Sequence, residues 1–414
     1  MSPGFDRPFH KSFHRTIGTD CVFCHVGSID RLKHNPYRFK ILETTIGCER
    51  CHGPGELHVA KYREAPDSSG PDLTIVNPAN LSRERAEAVC QQCHLQGISK
   101  ADVTGKDSWD FRPSQLLTDY RVDYQLGLGG QRMKIVGHVE QLHASECYKQ
   151  TETLTCTTCH DPHNPIPKAE RVEYHRSVCL DCHGNNECGE PVDKRLEVAN
   201  NSCFDCHMPK RDTNVTHAAF HQHRIAIHGP QEKEPEPTGE LIPVISALQL
   251  SQRERDRCEA IAKFTLLQEA PGNPNFQPFG IQATETLIRL KQTGPVDARI
   301  DSQLALLADL QGQKGIAENL ARESLAKQVL PTMARIEATS LLAQLEFQKG
   351  NAEEGAELYR LLRNYHRDAR DMFYLGLCEN NIGNVAAAID ALKDSLKIDP
   401  TQVGPHTALR AIYK

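Results

Sequence analysis

Apolar positions are arranged differently on the two sides of residue 230. Beyond it, three stretches place a small residue next to Leu and a glycine eight residues after that Leu: Leu307-Ala308 to Gly315, Leu342-Ala343 to Gly350, and Leu375-Gly376 to Gly383. These glycines lie 35 and 33 residues apart, a period of about 34 that predicts tandem pairs of amphipathic helices, the first of each pair ending at its glycine. The last unit also carries Ala388, Leu392 and a closing Pro400 at the matching offsets. Residues 246–292 predict one or two further helices that cap the stack, because a single repeat cannot bury its apolar face alone. Before residue 230 long stretches of helical period are few, and Gly, Pro and Asn recur, which predicts loops and short helices. Gly229-Pro-Gln-Glu-Lys-Glu-Pro-Glu-Pro-Thr-Gly-Glu240 is too polar and Pro-rich to pack and predicts an extended spacer. The expected division is 1–228, a linker 229–242, and a helical-repeat region 243–414.

Composition sharpens that division, since 14 of the 16 Cys and 18 of the 20 His precede residue 230. Twelve of those cysteines form six Cys-x-x-Cys pairs, each followed at once by His. The pairs are Cys21 and Cys24 before His25, Cys48 and Cys51 before His52, and Cys90 and Cys93 before His94. They continue with Cys156 and Cys159 before His160, Cys179 and Cys182 before His183, and Cys203 and Cys206 before His207. This is the attachment signature of c-type haem, in which two thiols add to the porphyrin vinyl groups and the adjacent imidazole meets the iron. Zinc sites use CxxC pairs too, but give no reason for His at the next position six times. Six covalently bound haem c groups are therefore expected. First cysteines of successive motifs are separated by 27, 42, 66, 23 and 24 residues, so the last three haems are the most tightly strung. The long gap holds Ser108–Gln150, with the only Trp, Trp109, and a Gly-rich turn at Leu126–Gly130; it reads as an insertion covering one haem face, with room for a hairpin.

The second axial ligand decides whether a haem only passes electrons or also binds a substrate. Twelve His outside the motifs lie before residue 230, twice what six bis-His haems need, so spacing alone does not select among them. Cys147 and Cys188 either pair as a disulfide or remain two free thiols. Cys258 and Cys378 read as core residues of the helices, and His366 and His406 as surface ones.

Gly47-Cys48-Glu-Arg-Cys-His52-Gly-Pro-Gly-Glu-Leu-His58 resembles the CxxCHGPGxxH element of multihaem cytochromes similar to the tetrahaem cytochrome c that accepts electrons from hydroxylamine oxidoreductase. Cys156-Thr-Thr-Cys-His160-Asp-Pro-His163, followed by Cys179-Leu-Asp-Cys-His183, resembles the paired motif of the same group. Cys203-Phe-Asp-Cys-His207-Met-Pro-Lys, with Val215-Thr-His217 and His221-Gln-His223, is similar to the last motif of bacterial multihaem cytochromes that carry a C-terminal repeat domain. The resemblance implies His58, His163, His217 and His223 as distal ligands, and His138 in preference to His143. It leaves the sixth ligand open; His34, in the loop between the first two motifs, is the candidate chosen, with a residue preceding Met1 or an unfilled position as the alternatives. The fold class expected is mixed: an irregular, loop and short-helix multihaem cytochrome c domain joined to an all-α tetratricopeptide-repeat solenoid.

The function expected is electron relay between redox proteins, with the repeats docking a protein or peptide or mediating self-assembly. The alternative is a multihaem oxidoreductase acting on a small nitrogen or sulfur compound at one open haem. No CxxCK occurs, so the lysine-ligated haem of ammonium-forming nitrite reductases has no counterpart, whereas Tyr120, Tyr124, Tyr148 and Tyr174 leave a haem–Tyr crosslink open. A third reading makes the repeats primary and the haem region a redox sensor or one subunit of a larger assembly. With a net charge of -6 and no Lys/Arg cluster, nucleic acid is not an expected partner. No apolar run approaches the roughly 18 residues of a membrane span. Covalent haem attachment takes place outside the cytoplasm, so a periplasmic or extracellular location is expected. Met1–His10 lacks the pattern of a secretory signal, and the expectation is that a signal, with or without further motifs, preceded Met1.

Overall fold

The computed structural model describes residues 17–32, 35–127, 136–184, 187–212, 219–229, 239–295 and 297–414. The chain divides into two compact units, one spanning 48–249 and the other 250–414, and the second also takes in the segment up to Gly47. The division expected from composition differs on this point, because the first CxxCH motif belongs with the repeats. That motif lies on α1 (Thr19–His25), which buries Val22 and Phe23. An antiparallel hairpin of β1 (Ser28–Arg31) and β2 (Phe39–Glu43) follows, with Ile29 opposite Ile41.

The unit spanning 48–249 begins with α2 (Glu49–His52), α3 (Glu56–Glu64) and α4 (Arg83–His94). Next come β3 (Ser99–Asp102), β4 (Arg121–Leu126), α5 (His138–His143) and α6 (Glu146–Gln150). Four short helices, α7 (Cys156–Cys159), α8 (Arg171–Leu180), α9 (Val192–Ala199) and α10 (Cys203–His207), lead into the strands β5 (Lys210–Asp212), β6 (Ala219–His221) and β7 (Leu241–Pro243). β5 pairs with β6, while β3, β4 and β7 form an antiparallel sheet in which Leu126 faces Leu241. The spacer expected at 229–242 thus ends in an edge strand, because Leu241 and Ile242 are apolar enough to join the sheet.

The described part of the expected insertion, 108–127 and 136–145, instead supplies the packed centre of this unit, and residues 128–130 of the expected turn lie outside the described residues. Phe111, Leu117 and Tyr120 close against Ala88 and Leu95, with Val139 completing the cluster. Trp109 sits on a short helical turn whose start is capped by Asp107, and the Arg50 guanidinium lies 5.1 Å from its ring. Beyond Ser145 the contrast is abrupt: from Glu146 to Asn201 no described residue is buried.

The second unit contains α11 (Gln252–Glu269), α12 (Gln277–Thr293), α13 (Ala298–Leu310), α14 (Lys314–Leu325) and α15 (Thr332–Lys349). α16 (Ala352–Leu362), α17 (Ala369–Asn381), α18 (Val385–Ile398) and α19 (Val403–Ile412) complete it. Three hairpins, α13/α14, α15/α16 and α17/α18, form the expected repeat, preceded by α11/α12. Their turns share one device: Gly312, Gly350 and Gly383 adopt positive φ of 75°, 86° and 83°. The amide after each then donates to a carbonyl five residues earlier, Gln313 to Ala308, Asn351 to Glu346 and Asn384 to Glu379, which closes the helix end. The turn glycine of the first repeat is therefore Gly312, and Gly315, which the Leu-to-Gly spacing selects, lies inside α14. The glycines follow at 38 and 33 residues because α15 runs 18 residues against 13 for α13 and α17.

The small residue beside Leu has a packing reason. A Cβ on Gly376 would stand 2.6 Å from Leu392 Cγ, so α17 and α18 meet there at closest approach. Ala305 and Ala343, likewise seven residues before their turn glycines, hold the equivalent places and are fully buried. Cys258 and Cys378 are fully buried core residues.

Candidate cofactor-binding clusters

Each CxxCH motif occupies a helix end. α1, α2, α4 and α10 finish on the motif His, His160 caps α7, and Cys182-His183 turn back after α8. One helical turn places cysteines three apart on the same side. It also brings the His amide onto the first cysteine's carbonyl, as in His52 to Cys48 at 2.9 Å, His160 to Cys156 at 3.1 Å and His183 to Cys179 at 3.0 Å. All twelve cysteines are thiols outside any disulfide, and every one is at least partly exposed. Exposure is uneven along the chain: Cys21, Cys48, Cys182 and Cys206 are open to solvent, whereas Cys90 and Cys93, on the last turn of α4, are both half-buried. Cys24, Cys51, Cys156, Cys159, Cys179 and Cys203 are half-buried as well.

In the unit spanning 48–249 the motifs form a chain of neighbours. The Cys90 thiol is pushed down by a hydrogen bond with Cys156 and pushed up by its burial and by Cys51, with Cys93 of its own motif adding a smaller upward push. Burial pushes Cys159 up, with Cys147, Cys156 and Cys182 adding to the effect. Cys179 is pushed up to about 12 by burial and then by Cys203. Motifs two to six therefore each have a thiol close enough to perturb that of a neighbouring motif. Cys147 and Cys188 remain free thiols.

The imidazoles gather in the same place. His94 Nδ1 lies 3.2 Å from His138 Nδ1, and the His138 ring centroid is 4.4 Å from that of His223. His160 stands 6.2 Å from His223 at 26° between planes, and 5.9 Å from His175. Burial, and then the neighbouring His94, holds His138 to about 4; burial, and then His138, holds His223 to about 3. Both rings are thus neutral near pH 7, the form in which imidazole binds a metal. Gln141, fully buried, accepts the His223 amide at 2.8 Å and positions that residue. In a second group, the His52 and His163 rings are 5.8 Å apart and only 12° from parallel.

Several of these rings are oriented through one nitrogen. His52 Nδ1 donates to the Val76 carbonyl at 2.7 Å and His207 Nδ1 to that of Ala226 at 3.0 Å, a contact that fixes the tautomer and aims Nε2 outward. His58 Nδ1 is held 2.5 Å from Asp72, whose carboxyl is kept well below the usual range by hydrogen bonds from Thr74 first and then His58. His143 is engaged by Glu87 at 2.9 Å. His25 is exposed, and His183 lies 3.3 Å from Glu187. His34 and His217 lie outside the described residues. The resemblance does not nominate His175, yet that ring faces both His160 and Phe204. Its place four residues before Cys179 on α8 is the sequence signal that marks it.

The donor set fits haem better than a bare ion. Metal–imidazole bonds are about 2 Å long, so two rings on opposite sides of one metal have centroids roughly 6 Å apart. His52 with His163 and His160 with His223 have that separation. Among the described residues no group of three or more His, Cys, Asp or Glu is arranged to hold a metal ion directly. Apolar side chains around the later motifs also face outward, including Val192, Leu196 and Val198 on α9, a surface to which a large flat apolar group is suited.

No family model matches the chain, and no curated protein sequence does. Among solved structures it is similar to MamA AMB-1, at 18% identity over 39% of this chain and 81% of that one, with a TM-score of 0.32. MamA from Desulfovibrio magneticus RS-1 gives 14% identity over 37% and 83%, with a TM-score of 0.29. A tetratricopeptide repeat protein from Parabacteroides merdae ATCC 43184 gives 16% identity over 38% and 59%, with a TM-score of 0.30.

Proposed function

We propose that the protein is an exported multihaem c-type cytochrome that relays electrons through six haem c groups, with its helical repeats serving as a docking or assembly surface for a protein partner. The observation that carries this reading is the coincidence of three CxxCH motifs with a stretch, 146–201 and its flank, whose own side chains bury almost nothing. A polypeptide with so little core orders around something else, and a covalently held porphyrin supplies the missing apolar surface.

Haem iron supplies one-electron cycling between ferric and ferrous states. The chain's own residues do the rest. The twelve motif cysteines would hold the porphyrins and the six motif His would bind their irons. His163, beside His52, and His223, beside His160, are the favoured further ligands. Carbonyls of Val76 and Ala226 orient the rings of His52 and His207, and burial keeps His138 and His223 deprotonated. The neighbour-to-neighbour thiols of motifs two to six support transfer along a row. Among the described residues no helix is long and apolar enough to cross a membrane.

The test is expression with a haem c maturation system, followed by a haem count and electron paramagnetic resonance of the oxidised protein. Six covalent haems, all low-spin, are expected. Absence of covalent haem would overturn the reading, and a wild-type high-spin haem that binds nitrite or hydroxylamine would replace relay with catalysis.

A further inference from the structure

The first motif is set apart from the other five: its helix α1 shares a compact unit with the repeats. The hairpin connector after α1 makes the join. The Thr19 amide at the start of α1 donates to the Pro36 carbonyl at 2.8 Å, and a Cβ on Gly18 would lie 3.5 Å from the Tyr37 ring. On its other side the connector meets the turn between α16 and α17. Asn35 Nδ2 donates to the Asn364 carbonyl at 2.6 Å, and the Tyr37 ring is 5.9 Å from that of His366. One tyrosine therefore bridges the motif helix and a histidine of the distant repeats.

His366 is built as metal-binding histidines are built. Its Nδ1 is 2.7 Å from Asp371 Oδ2, and the Asp371 side chain is only 7% exposed. Asp371 also receives Ser340 Oγ at 3.1 Å, so the carboxylate is fixed from two sides. A carboxylate behind one imidazole nitrogen holds the proton there and leaves Nε2 as the donor. The ring lines a cavity of about 230 Å³ together with Ser340, Gln344, Tyr359, Asp368 and Arg370. Arg370 there is a cation of the kind that receives a haem propionate. Among the described residues the only other His of this unit are His25, which is the motif's own, and His406, which is exposed beside Pro400.

We propose that His366, positioned by Asp371, is the distal ligand of the haem attached at Cys21 and Cys24, so that the repeat unit completes the first haem site. This rests on the haem reading above, and it gives the repeats a role in the redox chain itself rather than in docking alone.

The test uses the full-length holoprotein and four substitutions: His366→Ala, His366→Met, Asp371→Asn and His34→Ala. The haem count is read first. Fewer than six haems in the wild type would be a failure of the haem reading, and that count is independent of every substitution. With six haems present, His366→Ala is expected to convert one of the six from low to high spin in the oxidised spectrum. His366→Met is expected to keep it low-spin and raise the midpoint potential of a single haem, since a thioether ligand favours the ferrous state. Asp371→Asn should raise one potential without changing any spin state, and His34→Ala should change nothing. A merely structural role for the His366–Asp371 pair would lower the melting temperature in these variants with every haem remaining low-spin, and that result overturns the proposal. So does a spin change in His34→Ala, or an unaltered set of six potentials in His366→Met should His366→Ala fail to fold.

Discussion

Two stretches of this chain form helices, long ones in 250–414 and short ones in 146–201, and they differ in what those helices bury. In 250–414 each hairpin contributes large apolar side chains that vanish from solvent: Phe264, Leu287 and Ile300 in one cluster, Leu342 in the next, Tyr359, Leu362 and Leu375 in the third. In 146–201 four helices of similar local quality, with a capping box at Thr155 and a left-handed end at Asn200, bury no described residue. Local signals suffice to start and stop a helix, but they do not stabilise it, because isolated short helices are marginal in water. The first region carries its own core; the second buries none of its described residues.

The strongest way to break that contrast is to withhold haem. Chain made without attachment is expected to lose 146–212 to trypsin at Lys168, Arg171 and Arg195 while a fragment covering 250–414 survives; equal protection of both would remove the distinction. Within the self-sufficient region, Leu392→Ala opens a void at a residue with no exposed surface, and is expected to cost about 3 kcal/mol in urea unfolding. The absorbance transition of the five haems expected in 48–249 should keep its midpoint, and a shift of all six together would mean that the two units unfold as one. Smaller still are the turn effects. Gly383→Ala, at a φ of 83°, should cost about 1–2 kcal/mol. Gly315→Ala, inside α14 with nothing within 4 Å of the new methyl, should stabilise by about 0.5–1 kcal/mol. The opposite signs separate the turn glycine from its neighbour in a thermal melt.

The smallest expected effect is one of pH. Burial pushes the Glu379 carboxyl up, but hydrogen bonds from Arg360 and Asn384 outweigh it and hold it below the ordinary carboxylate range. Glu346 behaves alike, with Lys349 and Asn351 as donors. Because the folded value lies below the unfolded one, the stabilisation is complete above the unfolded carboxylate range and is lost as pH falls through the folded value. The repeat unit should melt lower in acid, and Glu379→Gln should flatten that slope.

Much of this architecture is legible in the sequence, for reasons that can be given residue by residue. The six motifs declare themselves because thiol pair and imidazole must be contiguous. The repeat period shows because each hairpin needs the same small residue at the closest approach, as Gly376 does against Leu392. What fails to show is set by contacts between residues distant in sequence. The first repeat meets the pattern twice, at Leu304-Ala305 to Gly312 and at Leu307-Ala308 to Gly315, and the Leu-to-Gly spacing counts residues without sensing which carbonyl the turn must satisfy. The composition boundary at residue 230 hides the attachment of the first motif to the repeats, since Asn35 and Asn364 carry no local mark of their pairing. His175 does not stand out because twelve histidines compete and the resemblance speaks for others, while His34 and His217 lie outside the described residues. The half-burial of Cys90 and Cys93 is equally silent in the sequence, since it comes from the packing of α4 rather than from the motif.

The Asn35–Asn364 contact spans 329 positions. Asn35 is therefore made long before Asn364, and the connector that follows Cys21 and Cys24 cannot take up its contact with the turn between α16 and α17 until the five later motifs and most of the repeat helices have been synthesised. For this stretch of chain the order of synthesis and the order of docking run opposite ways.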